Sequence, residues 1–237
     1  MKVIHVISSP RNISTALMYS FAQRTDVQVA DEPFYACYFL KTGVVHPGRE
    51  EVIRTQAHTG TEVLAGLFEQ KSPVLFIKNM AHHLEVIPSF PYEKCVNIFL
   101  IRNPKQIIAS YTQVIEQPTL QGIGIAFQYT LFIQLAAQGI TTIVLDSGML
   151  LQHPEKVLTK VCALADIPFD PNMLQWKPGP KPYDGVWAPY WYANVHRSAG
   201  FEKQPTSDRP LPAHLNALYE EARGYYEKLL PFAVTPE

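Results

Sequence analysis

Val3–Phe21, VIHVISSPRNISTALMYSF, decides how the rest of the chain is read. Val3, Ile4, Val6 and Ile7 form a short apolar run of the kind found in buried strands, and an apolar-periodic helix begins near Ser14. Between them lies a polar turn, Ser8-Ser9-Pro10-Arg11-Asn12. A strand that opens into a helix through such a turn presents free backbone N–H groups, backed by the helix dipole, to an anion at the carboxyl end of a sheet. Arg11 adds a fixed positive charge there. The turn has neither the glycines nor the Lys-Ser/Thr ending of a Walker A loop, which argues against ordinary ATP or GTP hydrolysis.

Working outward, Val27–Ala30 reads as a second strand, ending at Asp31-Glu32-Pro33. Pro73–Lys78, PVLFIK, is a buried strand ending in a cation, followed by Asn79, Met80, Ala81, His82 and His83. Val96–Ile101 is another strand, with Arg102-Asn103-Pro104 at its end and a helix through Ile107, Ile108, Ser110 and Tyr111. A long helix is expected around Gly122–Gly139, then a strand over Thr141–Leu145 followed by Asp146-Ser147. Strands alternating with helix-length segments predict an α/β fold, a three-layer sandwich around a mainly parallel central sheet. Short, wholly apolar strands suit burial on both faces. The polar residues follow strand ends, the edge at which such sheets bind ligands.

A chain of 237 residues needs no more than one domain, so residues 1–237 are read as a single unit. Trp176–Pro210 is crowded with Pro, Gly and aromatics and has little periodicity; a stretch of that length suits a lid over a ligand, the alternative being a structural wrap or a contact in a homo-oligomer. A C-terminal helix is expected over 212–230. The formal net charge of -1 gives no bulk field toward nucleic acid or an anionic membrane, so anion binding must be local. Cys37, Cys95 and Cys162 are far apart and lack CxxC spacing, which fits reduced thiols in a cytoplasmic protein. The N-terminal apolar run is too short for a signal sequence or a membrane span.

Four constellations could carry chemistry. Arg102 can fork onto a phosphate while Ser110, eight positions on, donates to another oxygen. Lys78 can neutralise charge on a transferring group, and His82 or His83 can take a proton. Asp31 or Glu32 offers a carboxylate base if partly buried, or a salt bridge to Arg11. Arg197-Ser198-Ala199-Gly200 could close over an anion from the aromatic stretch. No third ligand is spaced to make a metal site with His82 and His83.

These motifs carry a resemblance. SSPRNISTALM resembles the 5′-phosphosulfate loop of the sulfotransferases that use 3′-phosphoadenylyl sulfate (PAPS), and FLIRNPKQIIASY resembles their 3′-phosphate motif. The resemblance implies a P-loop kinase-like fold and a 5′-phosphosulfate site at Arg11, Asn12, Ile13, Ser14 and Thr15. It further implies a 3′-phosphate site at Arg102 and Ser110, and a C-terminal contact for which Arg197, Ser198 and Gly200 are the nearest match. The family usually has a small residue or glycine where this loop has Asn12-Ile13. Its members place the base either on a histidine after the central strand, here His82 or His83 near Lys78, or on a carboxylate after the second strand, here Glu32. The implied reaction moves a sulfuryl group from PAPS to a hydroxyl or amine of a small molecule, leaving adenosine 3′,5′-bisphosphate. The rivals are a small-molecule kinase on the same fold and a non-catalytic nucleotide-binding or interaction protein. The chain also resembles a subset often labelled as similar to branched-chain aminotransferases, but no pyridoxal phosphate framework surrounds Lys2, Lys41, Lys71 or Lys78.

Overall fold

The computed structural model describes residues 1–202 and 211–237. Five strands, β1 (Lys2–Ser8), β2 (Val27–Asp31), β3 (Val74–Met80), β4 (Val96–Ile101) and β5 (Thr142–Asp146), form one parallel sheet in the order β2-β3-β1-β4-β5. β1, β3 and β4 are almost wholly buried because helices cover both faces. Val3, Ile7, Phe99 and Ile101 face one apolar layer with Phe132 and Leu135, while Ile4, Val6, Ile98 and Leu100 face the other with Leu17, Phe21 and Val161. The period-two alternation of β1 thus feeds two cores.

Topology places the site. The chain leaves central β1, returns through β2 and β3 on one side, and crosses over β1 to β4 on the other. That reversal opens a crevice at the carboxyl edge, the place where open α/β sheets take their ligands. Register aligns Ser8 with Met80 and Leu100, and Asp31 with Lys78.

One face of the sheet carries a polar column that the apolar pattern does not reveal. His5 is fully buried between β3 and β4, with Asn97 Oδ1 3.2 Å from Nδ1 and Asn79 Nδ2 donating to Nε2 over 3.1 Å. Phe90 stacks on the ring at 4.2 Å. The two asparagines match the neutral imidazole's one donor and one acceptor, and burial pushes the His5 pKa down to about 3 against the hydrogen bond to Asn97.

Two expectations are corrected. The helix around 122–139 is broken: Leu120–Ile123 and Ile125–Ala137 are separate, joined at Gly124 with φ +73°, where an added Cβ would lie 2.7 Å from Ala81 Cβ. Only glycine accepts both the left-handed backbone and that approach. The 176–202 stretch is not without regular structure. It contains the helix Ala188–Trp191 and a 3-10 turn at Val195–Arg197, and Trp176, Trp187 and Tyr192 are buried. The remainder of the expected stretch, 203–210, lies outside the described residues. The C-terminal helix runs over Asn216–Leu229, after a 3-10 turn at Ala213–Leu215.

Candidate active site

The loop after β1 is held in a strained shape. Arg11 and Ile13 have φ of 58° and 52°, left-handed values that cost L-residues about 1–2 kcal/mol each. Backbone in this conformation at a site points to a functional constraint. Asn12 anchors the loop: its Nδ2 donates to Leu100 O at the end of β4 over 2.6 Å. Gln128 anchors it from behind, its side-chain oxygen accepting from Ser9 N and Oγ and its nitrogen donating to Leu100 O and Ile7 O. The helix that follows, Ser14–Phe21, starts at Ile13, which offers no capping side chain, and its first turn contains no carboxylate. The first-turn amides are therefore turned to the cleft without a side-chain cap, and left-handed turns of this kind form anion-binding concavities.

Arg102 follows β4 and Ser110 lies two turns along the helix Pro104–Tyr111, whose start is fixed by Pro104 and by Asn103 Oδ1 accepting from Lys105 N. The two arginines are locked into one frame. Arg11 Nε donates to Ser110 Oγ at 2.9 Å and its Nη1 to Trp191 O at 3.2 Å; Arg102 Nη1 donates to Arg11 O at 2.8 Å and its Nε to Gln106 Oε1 at 2.9 Å. Neither has a carboxylate within 4.0 Å among the described residues. Burial lowers both guanidinium pKa values, and the charge of Arg11 lowers that of Arg102 further. Two partly desolvated cations without a counter-ion fit a doubly anionic ligand.

At the other wall, Lys78 is wholly buried at the end of β3. Its Nζ lies 2.6 Å from Asp31 Oδ1, 2.8 Å from Glu32 Oε1, 2.7 Å from Tyr192 OH and 3.3 Å from Thr15 Oγ1. Tyr192 OH in turn donates to Asp31 Oδ2 at 2.6 Å and accepts from Trp187 Nε1 at 3.1 Å. Burial alone would lower the Lys78 pKa; the two carboxylates reverse it and keep the ammonium form. Lys78 lines the cleft, as expected, but its ammonium is already paired. Its charge is spent inside the protein, on Asp31 and Glu32, because the β2–β3 register sets Asp31 beside it. The expected salt bridge from Asp31 or Glu32 to Arg11 is not formed.

Glu32, with φ 41°, lies on the cleft wall. Lys78 holds Oε1, and Oε2 makes no hydrogen bond among the described residues, with His83 Nδ1 3.8 Å away. Burial raises the Glu32 pKa, Lys78 opposes that and Asp31 reinforces it. His82 and His83 are buried beside it, His83 stacked on Tyr35 at 4.4 Å and next to Tyr38 at 4.8 Å. Burial, then His46, pushes His82 down to about 3; burial, His82, His46 and Lys78 in turn push His83 well down. The Nδ1 atoms of both rings lack a hydrogen-bond partner.

These groups meet in one cleft of about 840 Å³, a size suited to a nucleotide together with a second small molecule. Arg11–Thr15, Glu32, Lys78, His82, His83, Arg102, Ser110, Ser198 and Gly200 all line it. Arg197 does not, contrary to expectation: it is exposed and its Nη2 donates to Asn194 Oδ1 at 2.6 Å. The sequence reading missed Tyr192, Trp187, Trp191 and His46, which complete the far wall. Only the aromatic density of the 176–210 stretch hinted at the first three. Among the described residues no group of three or more His, Cys, Asp or Glu is placed to hold a metal ion, and no helix is long and apolar enough to cross a membrane.

A parallel sheet in this strand order, an anion loop after β1 and an arginine after β4 define a P-loop-like group-transfer fold. The family model described as a sulfotransferase domain matches residues 1–230, and the chain belongs to that family. Among solved structures, the sulfotransferase domain of the Synechococcus PCC 7002 olefin synthase aligns with a TM-score of 0.64 at 17% identity, covering 95% of this chain and 94% of its own. A sulfotransferase from Alicyclobacillus acidocaldarius aligns at 0.57 and 11% identity, covering 99% and 98%. Branched-chain-amino-acid aminotransferase-like protein 1 of Arabidopsis thaliana is 36% identical over 96% of this chain, and its paralogue, protein 2, is 34% identical over 97%. The chain spans 41% of the length of either plant protein.

Proposed function

We propose that residues 1–237 act as one sulfotransferase domain that moves a sulfuryl group from PAPS to a hydroxyl or amine of a small molecule, leaving adenosine 3′,5′-bisphosphate. The observation that carries this reading is the pair of half-buried arginines, Arg11 and Arg102, without a carboxylate partner among the described residues, beside an uncapped helix start. When bound, PAPS supplies an activated sulfuryl group. Arg11, Ser14, Thr15 and the amides of Asn12–Thr15 hold its 5′ end. Arg102, with Ser110, holds the 3′-phosphate, and Ser198 and Gly200 border the nucleotide.

Glu32 takes the acceptor proton at Oε2. Its raised pKa makes it the better base, whereas an imidazole whose pKa lies near 3 is too weak. Lys78 fixes the Glu32 carboxylate through Oε1 and leaves Oε2 to the acceptor. A kinase reading would need the missing Lys-Ser/Thr of the first loop. An aminotransferase reading would need a lysine with a depressed pKa, and that of Lys78 is raised. The buried free thiols of Cys37, Cys95 and Cys162 suit a reducing, cytoplasmic setting.

The test is calorimetric titration with adenosine 3′,5′-bisphosphate and, separately, with ADP and ATP. Selective binding of the bisphosphate, weakened in Arg102→Ala, supports the proposal; absence of bisphosphate binding by the wild type refutes the donor.

A further inference from the structure

Three tyrosines line the cleft, and only one of them has a hydroxyl to spare. Tyr192 OH is bound to Asp31, Lys78 and Trp187, and Tyr35 OH lies 2.9 Å from His46 Nδ1. Tyr111 is 3% exposed, yet its hydroxyl has no hydrogen-bond partner among the described residues. Nor is that oxygen one of the unpartnered polar atoms shut off from solvent, as Trp191 Nε1 and the Nδ1 atoms of His82 and His83 are. A nearly buried side chain thus opens a free O–H into the cleft, and such a group calls for a partner.

Its place follows from the helix. Tyr111 ends the helix Pro104–Tyr111, one residue after Ser110, whose Oγ accepts from Arg11 Nε at 2.9 Å. The ring is backed by that of Trp191, 6.2 Å away between centroids. Its hydroxyl feels both ends of the cleft: burial, then Tyr38 and Glu32, raise its pKa, and Arg11 lowers it. The phenol therefore stays protonated, within electrostatic reach of the donor-end arginine and of the carboxylate at the acceptor end.

The other donors of that region are committed. Lys78 Nζ is held by Asp31, Glu32, Tyr192 and Thr15, and Ser110 already binds Arg11. A sulfuryl group spreads negative charge over its oxygens, and an O–H fixed in a dry wall binds such charge without reorganising.

Resting on the sulfotransferase reading above, we propose that Tyr111 is a further residue of the transfer site: its O–H donates to an oxygen of the sulfuryl group, a contact that Lys78, paired with two carboxylates, is not free to make. Tyr111 gives up no proton in the transfer. The acceptor oxygen bonds to sulfur, the sulfur–oxygen bond to the 5′-phosphate breaks with its electron pair leaving on the bisphosphate, and Glu32 Oε2 takes the acceptor proton. Tyr111 orients the group between the two oxygens.

The test compares two nucleotides that differ by the sulfuryl group alone, PAPS and adenosine 3′,5′-bisphosphate, each titrated without acceptor into the wild type and into Tyr111→Phe. Phenylalanine keeps the ring against Trp191 and removes one oxygen. The Kd for PAPS rises about tenfold, the scale of a hydrogen bond to a charged group, while the Kd for the bisphosphate stays at the wild-type value. A purely structural role weakens both nucleotides alike. Equal losses for the two, or no loss for PAPS, overturn the assignment. A variant that no longer folds, read from its melting curve, overturns it too, because a hydroxyl free for a ligand has no partner in the protein to lose. A wild type that binds neither nucleotide instead overturns the donor assignment on which the proposal rests.

Discussion

Replacing Lys78 by methionine separates the role the structure gives this residue from the one its sequence position suggests. Methionine keeps an unbranched stem but removes the ammonium between Asp31 Oδ1 and Glu32 Oε1, 2.6 and 2.8 Å away. Two buried carboxylates then face each other without a cation, and breaking such a pair costs about 3–5 kcal/mol. Two charge-assisted hydrogen bonds at about 1.5–3 kcal/mol each give the same scale. With a urea dependence of about 2 kcal/mol per molar, the midpoint falls by about 2 M. Tyr192 loses its ammonium partner as well, so the wall it carries loosens. The assay is urea unfolding followed by tryptophan fluorescence, since Trp187 donates to Tyr192. Adding Asp31→Asn and Glu32→Gln to Lys78→Met removes the stranded charges and restores much of the loss. A Lys78→Met protein as stable as wild type, or a triple variant no more stable than the single, refutes the buried-triad account and returns Lys78 to the substrate.

Further outcomes follow from the same geometry. Arg102→Ala weakens adenosine 3′,5′-bisphosphate binding by about 2 kcal/mol, near thirtyfold in a calorimetric Kd, and Arg102→Lys recovers only part because the fork is lost. Glu32→Gln lowers kcat by about 10²–10⁴ with little change in bisphosphate affinity; equal activity would sink the base assignment. His5 and His82 are held neutral with pKa values near 3 against an ordinary 6.5, so the unfolded chain binds the extra protons. Their contribution to stability is present above pH 6.5 and lost as pH falls toward 3, at up to about 1.4 kcal/mol per pH unit for each group. Urea midpoints measured from pH 7.5 down to 5 check this, and His5→Gln flattens the slope. Gly124→Ala brings a Cβ to 2.7 Å from Ala81 at a left-handed φ and destabilises by about 2 kcal/mol, read as a lowered melting temperature.

The strands were legible because each is a short apolar run ending in a polar turn, and parallel sheets leave that mark. Arg102 with Ser110 and the loop at Arg11–Thr15 were legible as sites, since both follow strand ends. Their coupling was not, because Arg11 reaches Ser110 only once β1 and β4 are neighbours. Lys78 illustrates the limit further: a cation at a strand end looks free until register puts Asp31 next to it. Tyr192, 114 positions from Lys78, carries no local pattern tying it to the sheet. His5 interrupts an apolar run without a local pattern to explain it, and its asparagine partners on β3 and β4 are defined only by pairing across strands. The break at Gly124 depends on the closeness of Ala81, which helical periodicity does not encode.

The two arginines that face the cleft, neither ion-paired among the described residues, have a consequence for how the folded state behaves as a whole. Like charges held apart by their hydrogen bonds store repulsion that an arriving anion releases, so ligand affinity and resistance to heat rise together. At a hundredfold excess of bisphosphate over its Kd the gain is about 2.7 kcal/mol, or roughly 5–10 °C in melting temperature for a chain of this size. Inorganic sulfate and phosphate produce a smaller rise at far higher concentration. The protein's own melting curve is thereby a reporter of its ligands, usable before any acceptor has been found.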